Sequence, residues 1–452
     1  MSSKKDLVEA HAFNRRRLVT AFVSGAPGGR EVEPVRYGRT LVGGLVLAAL
    51  VVAGAAVAPL LKPSLPKDWM KNGMVVGKES GSRFVAYNNV LYPVINTTSA
   101  RLILATSGTF NVNFVPNDKI AEQKSGATIG IAGAPDQLPS PTTLLSSGWT
   151  ACTNTAGGIN VRVAPRPAVT PSATGAFVAS ARGTTWVVTG QHRYAVPAGQ
   201  VGRQALRALK LDSEQVFPVP GTWLDLVPPG QPLQPFPVTG QGTRVRSGAP
   251  GLTTVGTPVK VDGRPYVLGT KGLLPLSDFA YTVYRSSGPG AQLPEQRLQA
   301  RNIPKVHNDN AAAHPYSPDW PQRDVSAVDT GGSPCLLLST SPTAPATVRL
   351  ATARGPAARA STSGVTRQVS SGRGALVQAT SGGVIGSGTT FLVDATGTRY
   401  AVGTKGTVGA ALTALGYQHV HPVPVPAPWM SLFGDGPALT QQAAGQPPSA
   451  AR

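Results

Sequence analysis

The longest uninterrupted apolar stretch of the chain covers residues 40–61 and contains no charged residue. As a helix, its 22 residues would extend about 33 Å, which is enough to cross a bilayer core of roughly 30 Å. A cleaved signal peptide is the alternative, since Ala56, Val57 and Ala58 resemble a cleavage site. Because Pro59 follows that site directly and 39 residues precede the stretch, we predict a retained transmembrane helix over 40–61.

Basic residues flank this predicted helix on both sides, with more of them on the N-terminal side. Positive flanks favour the cytoplasm, and long domains translocate regardless of their charge. We therefore predict a cytoplasmic N-terminal segment, 1–39, and an exported C-terminal domain. The flanking cations expected to contact the inner leaflet or an acidic partner are Arg15, Arg16, Arg17, Arg39 and Lys62. For the three arginines at 15–17, a plain topology signal is the alternative.

Small residues one helical turn apart occur within the apolar stretch, at Gly44 and Ala48 and again at Ala49 and Ala53. Such pairs allow two helices to approach closely in lipid, so Gly44 and Ala48 are candidates for helix packing. The general abundance of small residues in the stretch explains the spacing equally well.

Beyond residue 61 the pattern changes to short alternating runs separated by glycine and proline, which is typical of strands and turns. Two of these regions repeat each other, because segments 183–188, 193–196 and 205–209 correspond to 388–393, 399–402 and 411–415. Each copy predicts strand, tight turn, strand, short helix and a Pro-rich tail that ends in Trp223 or Trp429. Gly190 and Gly397 at the turns are expected to tolerate positive φ.

Two shorter hairpins resemble these copies, at 82–94 and at 258–268, the second with Asp262 and Gly263 as its turn. Hairpins of this size bury little surface alone, so they require a central body. The sequence thus predicts hairpin units near 78–110, 183–235, 256–290 and 388–440, with a central core from 145–182 and 325–387.

Glycine and proline, 52 and 42 of the 452 residues, account for about a fifth of the chain, against roughly 12% on average. This richness disfavours long helices and favours a mainly β fold with many turns. We expect loops at 315–324 and 354–373, and a disordered tail over 441–452.

The net charge is +20, and the part beyond residue 61 has 33 basic and 17 acidic residues. Such a surface suits anionic headgroups or anionic cell-wall polymers; a merely solvated basic surface is the alternative. Nucleic acid is not an expected partner of an exported domain.

Both cysteines, Cys152 and Cys335, lie beyond the predicted membrane helix. An even count in an oxidising compartment favours one disulfide between them. The internal duplication supports this pairing, because it places the two cysteines at comparable positions. Two unpaired buried thiols are the alternative.

The string most similar to a phosphate-binding loop is NGMVVGKE at 72–79. A P-loop requires a glycine where Asn72 stands and a hydroxyl where Glu79 stands, and a carboxylate there would repel phosphate. We therefore predict no catalytic residue and no cofactor-binding residue.

Gly-Thr-Lys-Gly occurs at 269–272 and at 403–406, where it would either nest an anion or simply close equivalent hairpins. His307, Asp309 and His314 have a spacing compatible with metal ligands, but they flank a Pro-rich loop without cysteine. We expect a solvated loop there and no metal site.

The most specific motif reads Leu-Tyr-Pro-Val-Ile-Asn at 91–96, followed by Ser-Ala-Arg-Leu at 99–102. Gly-Ile-Ala-Gly-Ala-Pro at 130–135, Trp149 three residues before Cys152, and Asp-Gly-Pro-Ala-Leu at 435–439 accompany it. With the basic N-terminus and the apolar stretch, these motifs resemble the EccB family over nearly the whole chain. That family is the single-pass membrane component of actinobacterial type VII (ESX) secretion systems.

The resemblance implies a mainly β fold with short helices. A single N-terminal transmembrane helix would precede an elongated exported domain of four β-hairpin repeats around a disulfide-linked core. It also implies a large inner-membrane complex with the FtsK/SpoIIIE-type ATPase EccC, with EccD and EccE, and with further copies of the chain. Some family members are called ATPases, so ATP is a cofactor only if that label holds here.

We therefore predict a structural subunit of the cell (inner) membrane that contacts the motor ATPase through its N-terminus. A nucleotide hydrolase and a basic protein that tethers the cell wall are the alternatives.

Overall fold

The computed structural model describes residues 4–24, 37–57, 65, 68–104, 110–302, 314–331, 333–360, 363–381 and 386–448. The chain divides into two compact units, Met1–Lys67 and Asp68–Arg452. The second unit consists mainly of β-strands with short helices, which confirms the predicted mainly β fold with short helices.

Two helices make up the described part of the first unit, α1 (Lys4–Ser24) and α2 (Tyr37–Val57). Asp6 in the first turn of α1 complements the partial positive charge of a helix N-terminus. Helix α2 begins three residues before the predicted span 40–61, and 58–61 lie outside the described residues. Across the described part of the chain, no helix combines the length and the apolar character needed to cross a membrane. The transmembrane role of 40–61 therefore stays a prediction.

The second unit begins with β1 (Asn72–Gly77), β2 (Arg83–Tyr87), β3 (Val90–Pro93), α3 (Thr97–Leu104), β4 (Val112–Val115) and α4 (Asn117–Ala121). There follow β5 (Trp149–Thr153), β6 (Gly158–Val163), β7 (Val169–Pro171), β8 (Gly175–Ala181), β9 (Thr184–Val188), β10 (Arg193–Ala195), α5 (Gln200–Ala208), β11 (Phe217–Pro218) and α6 (Gly221–Leu224). The middle of the unit contains β12 (Pro258–Val261), β13 (Arg264–Leu268), β14 (Leu273–Pro275), α7 (Asp278–Ser286), α8 (Pro289–Gln292), β15 (Gln296–Leu298) and β16 (Ser326–Ala327). The last part contains β17 (Pro334–Ser341), β18 (Ala344–Ala353), β19 (Gly364–Val369), β20 (Ala375–Thr380), β21 (Thr390–Val393), β22 (Thr398–Ala401), α9 (Val408–Leu415), β23 (Val423–Pro426), α10 (Ala427–Met430), β24 (Gly434–Asp435) and α11 (Gln441–Ala444).

Four sheets of this unit share one strand order, and we call them small sheets 1 to 4; their first strands are β1, β8, β12 and β20. Three consecutive strands pair antiparallel, and a fourth strand returns parallel to the first, as β4 does beside β1. Parallel neighbours need a crossover connection, which a short helix provides in each sheet. These crossover helices are α3, α5, α7 and α9.

A central six-stranded sheet, in the order β19-β6-β5-β17-β18-β7, joins two distant parts of the chain. Strands β5 and β17 pair antiparallel at its centre. Because side chains alternate along a strand, one face presents Val161, Ala151, Leu336 and Leu350, all buried in the largest hydrophobic cluster. The opposite face presents the two cysteines.

The predicted hairpins are present, and their turns follow the local chemistry. Asp262 and Gly263 both have positive φ, 46° and 82°, as the tight turn between β12 and β13 requires. Gly397 also has positive φ, at 78°, but Gly190 does not. That turn is closed instead by Thr189, whose Oγ1 donates to the carbonyl of His192 at 2.9 Å.

Three expectations differ from the structure. Segment 354–373 was expected to be a loop, but it contains strand β19. This strand lies at the edge of the sheet, parallel to β6, and its polar sequence lacks the apolar alternation by which a strand is predicted. The disordered tail is wrong at its beginning, since Thr440 caps α11 and Ala444 is fully buried. Residues 449–452 lie outside the described chain. Strands β8 and β20, assigned by sequence to the central core, pair within small sheets 2 and 4.

Candidate functional site

A disulfide joins Cys152 and Cys335 at the centre of the six-stranded sheet, as predicted. The two residues are direct partners in the pairing of β5 with β17, and both are buried. They are separated by 183 positions in the sequence. The bond therefore fixes the junction where the two halves of the chain meet.

Two tryptophans anchor small sheets 2 and 4 to this centre. Each sits on a single-turn helix after the fourth strand, Trp223 on α6 and Trp429 on α10, and both are completely buried. The indole of Trp223 donates to the Ala151 carbonyl of β5 at 3.0 Å. That of Trp429 donates to the Leu226 carbonyl at 3.2 Å, which links the two anchors. The duplication revealed the tryptophans, but not what they contact.

A tyrosine–glycine contact recurs in small sheets 1, 2 and 4. After the fourth strand, the chain returns along the third strand, and a glycine there donates its N–H to that strand at 2.8–2.9 Å. A Cβ on this glycine would overlap the ring of a tyrosine in the third strand. The pairs are Tyr92 with Gly126, Tyr194 with Gly230, and Tyr400 with Gly436.

A charged cluster fixes small sheet 2 on its helix α6. Asp225 accepts from Arg182 at 2.6 and 3.2 Å and from Arg193 at 2.9 Å. The hydrogen bond from Arg182, with help from Arg193, lowers the pKa of Asp225 although partial burial opposes this. Arg399 and Asp435 form the corresponding pair in small sheet 4, at 2.7 Å.

The string that was compared with a phosphate-binding loop is mostly strand. Residues 72–77 form β1, and Gly77 lies against Asn117 and Ser80. Glu79 accepts a hydrogen bond from the Asn117 backbone N–H at 2.8 Å. In an extended strand the backbone N–H groups point to neighbouring strands, so they do not converge on a phosphate.

The two Gly-Thr-Lys-Gly turns use their backbone donors internally. Gly269 donates to the Gly272 carbonyl at 2.7 Å. Gly403 donates to the carbonyl of Leu439, and Thr404 to Oγ1 of Thr407 at 2.8 Å. These N–H groups are thus engaged within the chain, which favours the interpretation as closing turns.

Among the described residues no three His, Cys, Asp or Glu side chains gather in a way that could hold a metal ion. His307 and Asp309 lie outside the described residues. The ring of His314 packs beside Tyr316, with ring centroids 5.3 Å apart.

The predicted N-terminal contact residues lie on the first unit. Arg15, Arg16 and Arg17 are exposed on α1, and Gly44 and Ala48 are exposed on α2. The backbone of Arg39 lies in α2, but its side chain is not among the described parts of the structure. Lys62 lies outside the described residues. Their roles stay predictions.

A cavity of about 610 Å³ lies where small sheet 2 meets the edge of the central sheet. Its lining comes from the hairpin turn after β9, the chain after β7, β18 and segment 318–325. The charged and aromatic lining residues are His192, Tyr194, Asp319, Trp320, Arg323 and Arg349. They come from three distant segments, so local motifs did not reveal them. One sequence signal exists, because residues 330–393 contain arginines but no acidic residue.

A sequence model of the family described as "Type VII secretion system ESX-1, transport TM domain B" matches residues 1–448. The chain is 28% identical over 489 aligned positions to the "ESX-2 secretion system ATPase EccB2" of Mycobacterium tuberculosis, covering 98% of this chain and 94% of that protein. It is also 28% identical over 342 positions to the "ESX-5 secretion system ATPase EccB5" of Mycobacterium marinum, covering 70% of this chain. That match spans 66% of the relative's length.

Two solved structures share the fold. The EccB3 dimer from the ESX-3 core complex has a TM-score of 0.65 at 22% identity, covering 83% of this chain and all of that chain. A chain of an intact ESX-5 inner membrane complex has a TM-score of 0.60 at 22% identity, covering 98% and 95%.

Proposed function

The chain belongs to the EccB family of type VII secretion transport proteins, and we propose that it is a non-catalytic structural subunit of the inner-membrane translocation complex. The observation that carries this proposal is the central sheet. It is built from two distant chain segments that a buried disulfide joins, and the buried tryptophans of small sheets 2 and 4 pack at this centre. Such interleaving ties small sheets 2 and 4 to one covalently bridged centre, which suits a subunit that holds others in place.

The membrane span of this proposal is the uncharged stretch 40–61, and its orientation is the one that the flanking basic residues favour. Residues 1–39 lie in the cytoplasm, 40–61 cross the inner membrane once, and the remainder lies outside. Arg15, Arg16 and Arg17 on α1 contact an EccC-type ATPase, and Gly44 and Ala48 pack against a neighbouring membrane helix. EccD, EccE and further copies of this chain complete the complex.

The test is a pull-down of the tagged full chain from membranes in mild detergent, with native mass measurement. We expect a very large particle that contains an FtsK-type ATPase and a multi-span protein. A truncated chain that ends at residue 67 should keep the membrane association but lose the large particle. If truncation leaves assembly and secretion unchanged, the structural role is overturned.

Hydrolysis of ATP is the second candidate, because the matched relatives carry ATPase in their names. Without a phosphate cradle in 72–79, the full chain purified free of its partners should release no phosphate above background. Activity that survives purification and is abolished by Lys78→Ala would establish a hydrolase instead.

A further inference from the structure

The cavity beside small sheet 2 has the dimensions of a ligand site. Its volume of about 610 Å³ falls within the roughly 300–1,000 Å³ of small-molecule pockets. It is larger than an inorganic anion needs, so it would admit the body of an organic molecule as well as its charged group. The hairpin turn that forms one wall packs against β18, where Gly190 lies next to Arg349 and Leu350.

Two arginines line the cavity without partners in the described chain. Arg323 and Arg349 are exposed, and neither makes a side-chain hydrogen bond or an ion pair with the described residues. A guanidinium presents a planar set of donors that matches a carboxylate or phosphate in two-point contact. The guanidinium groups of these two arginines are therefore available to pair with an anionic ligand in the cavity.

The acidic residue in the lining is already engaged. The carboxylate of Asp319 accepts from the hydroxyl of Ser317 and from the Gln231 backbone N–H, the latter at 2.7 Å. Its own carbonyl accepts from the Tyr194 hydroxyl at 2.6 Å. Asp319 thus holds the wall together, and neither arginine forms an ion pair with it.

The surroundings raise the positive potential further. The strands of the central sheet contain Arg162, Arg349 and Arg367 but no aspartate or glutamate. Segments 137–211 and 330–393, which supply this sheet and most of small sheet 2, have no acidic residue at all. Segment 318–325, which also lines the cavity, contains Asp319 and Asp324, so the excess of positive charge lies on the side of the central sheet and concentrates anions there.

The remaining lining is mixed in character. Thr174, Thr189 and Ser172 contribute hydroxyl-bearing side chains, and Trp320 and Tyr194 contribute rings. Burial lowers the pKa of His192, against the opposing effect of Asp319, so its ring is predominantly neutral at pH 7. Hydroxyls and ring surfaces beside two cations suit a hydroxylated organic anion, such as an acidic sugar, better than an apolar ligand.

We propose that this cavity binds the carboxylate or phosphate group of a hydroxylated organic anion, with Arg323 and Arg349 as the pairing residues. The anion is either a free small molecule or a unit of an acidic surface polymer, since both present the same group. This is a ligand site additional to the structural role of the chain.

The experiment measures binding to the full chain in detergent by calorimetry. The probes are glucuronate and glycerol 3-phosphate, with glucose as the uncharged control. We expect at least one anion to bind and glucose not to bind. Arg323→Gln and Arg349→Gln should each weaken the affinity at least tenfold. Arg203→Gln, which changes an exposed arginine of α5 outside the cavity, should leave it unchanged.

A second arm distinguishes the two sources. An oligomer of glucuronate that binds more tightly than the monomer assigns the site to a polymer, and equal affinity assigns it to a free anion. Failure of both anions to bind overturns the proposal, as does an equal loss of affinity in Arg203→Gln. Because both lining arginines are exposed, their substitution leaves the core intact, and unchanged thermal unfolding of the variants verifies this.

Discussion

At the scale of single residues, the tyrosine–glycine contact explains why glycine recurs in the returning segments. The sequence showed the repeated tyrosines at 194 and 400, but not their partners, which follow 36 residues later in both copies. Sequence periodicity indicates which residues share a strand. It does not indicate which distant glycine must leave room for a ring, because that depends on the path of the returning chain.

Gly436→Ala tests this contact. The added methyl group overlaps the buried ring of Tyr400, whose hydroxyl is held by Asp394 at 3.2 Å. Overpacking of this kind lowers the free energy of unfolding by about 1–3 kcal/mol. Urea unfolding of the full chain, followed by tryptophan fluorescence, measures the change.

Gly409→Ala is the matched control, since Gly409 is exposed in α9 and nothing lies within 4 Å of an added Cβ. Alanine favours a helix over glycine by about 1 kcal/mol, so this variant should be neutral or slightly more stable. Equal destabilisation of both variants would contradict the role of the ring.

The charged cluster at Asp225 predicts a pH dependence. Its folded-state pKa is lowered, so its contribution to stability is complete above the ordinary carboxyl value near pH 4 and is lost as pH falls through the folded value. The difference in unfolding free energy between the native chain and Asp225→Asn should therefore be largest at pH 7 and shrink toward pH 3.

The measurement is a series of denaturant titrations between pH 3 and 7. Asp118→Asn, which changes an exposed residue of α4, serves as the control. A difference for Asp225→Asn that stays constant with pH would show that the ion pairs contribute nothing.

At the scale of elements, alternation and turn residues predicted the hairpins correctly, because each is a local feature. Strand β19 was not predicted, because it is a polar edge strand and its partner β6 lies about 200 residues earlier in the sequence. The parallel fourth strands were expected only as extended tails, since nothing local specifies a partner across a crossover. Helix α11 has a polar, short sequence that gives no local signal, although Ala444 within it is completely buried.

Trp429 on α10 predicts how strongly small sheet 4 is anchored. Trp429→Ala removes a completely buried ring and should cost about 3–5 kcal/mol of unfolding free energy. Trp429→Phe keeps most of the ring but leaves the Leu226 carbonyl without its donor, so about 1–3 kcal/mol is expected.

Thermal and denaturant unfolding of the full chain check both values. Phe114→Ala is the comparison, because Phe114 is 61% exposed and its truncation should change stability by no more than about 0.5 kcal/mol. Similar losses at Trp429 and Phe114 would refute the anchoring role.

At the scale of the whole molecule, the duplication and the paired cysteines predicted a centre shared by two halves of the chain. The cavity could not be predicted in the same way, because Arg323 and Arg349 line one cavity only where segment 318–325 and the turn of small sheet 2 lie beside β18. The sequence shows that segments 137–211 and 330–393 lack acidic residues. Only the structure shows that both segments contribute strands to one sheet beside the cavity.

The disulfide predicts a redox-dependent stability. Its loss in Cys152→Ser/Cys335→Ser should lower the unfolding free energy by about 2–5 kcal/mol, because the unfolded chain regains the freedom of a long loop. A reductant should lower the melting temperature of the native chain toward that of the double variant.

The double variant itself should not respond to reductant, which provides the internal control. If the two proteins melt alike under oxidising conditions, the bond does not contribute to the stability of the folded chain.

The position of the disulfide also determines how the molecule responds to a pulling force. Small sheets 2 and 3 lie between the two cysteines, whereas small sheets 1 and 4 lie outside them. Tension between the two ends of the second unit passes through the covalent bridge, so the intervening 182 residues carry no load. Fully extended, these residues would span roughly 600 Å at about 3.4 Å per residue. Tension can extend them only after the disulfide is reduced. A secretion machine that strains this subunit would therefore load its first and last small sheets and spare the two between the cysteines.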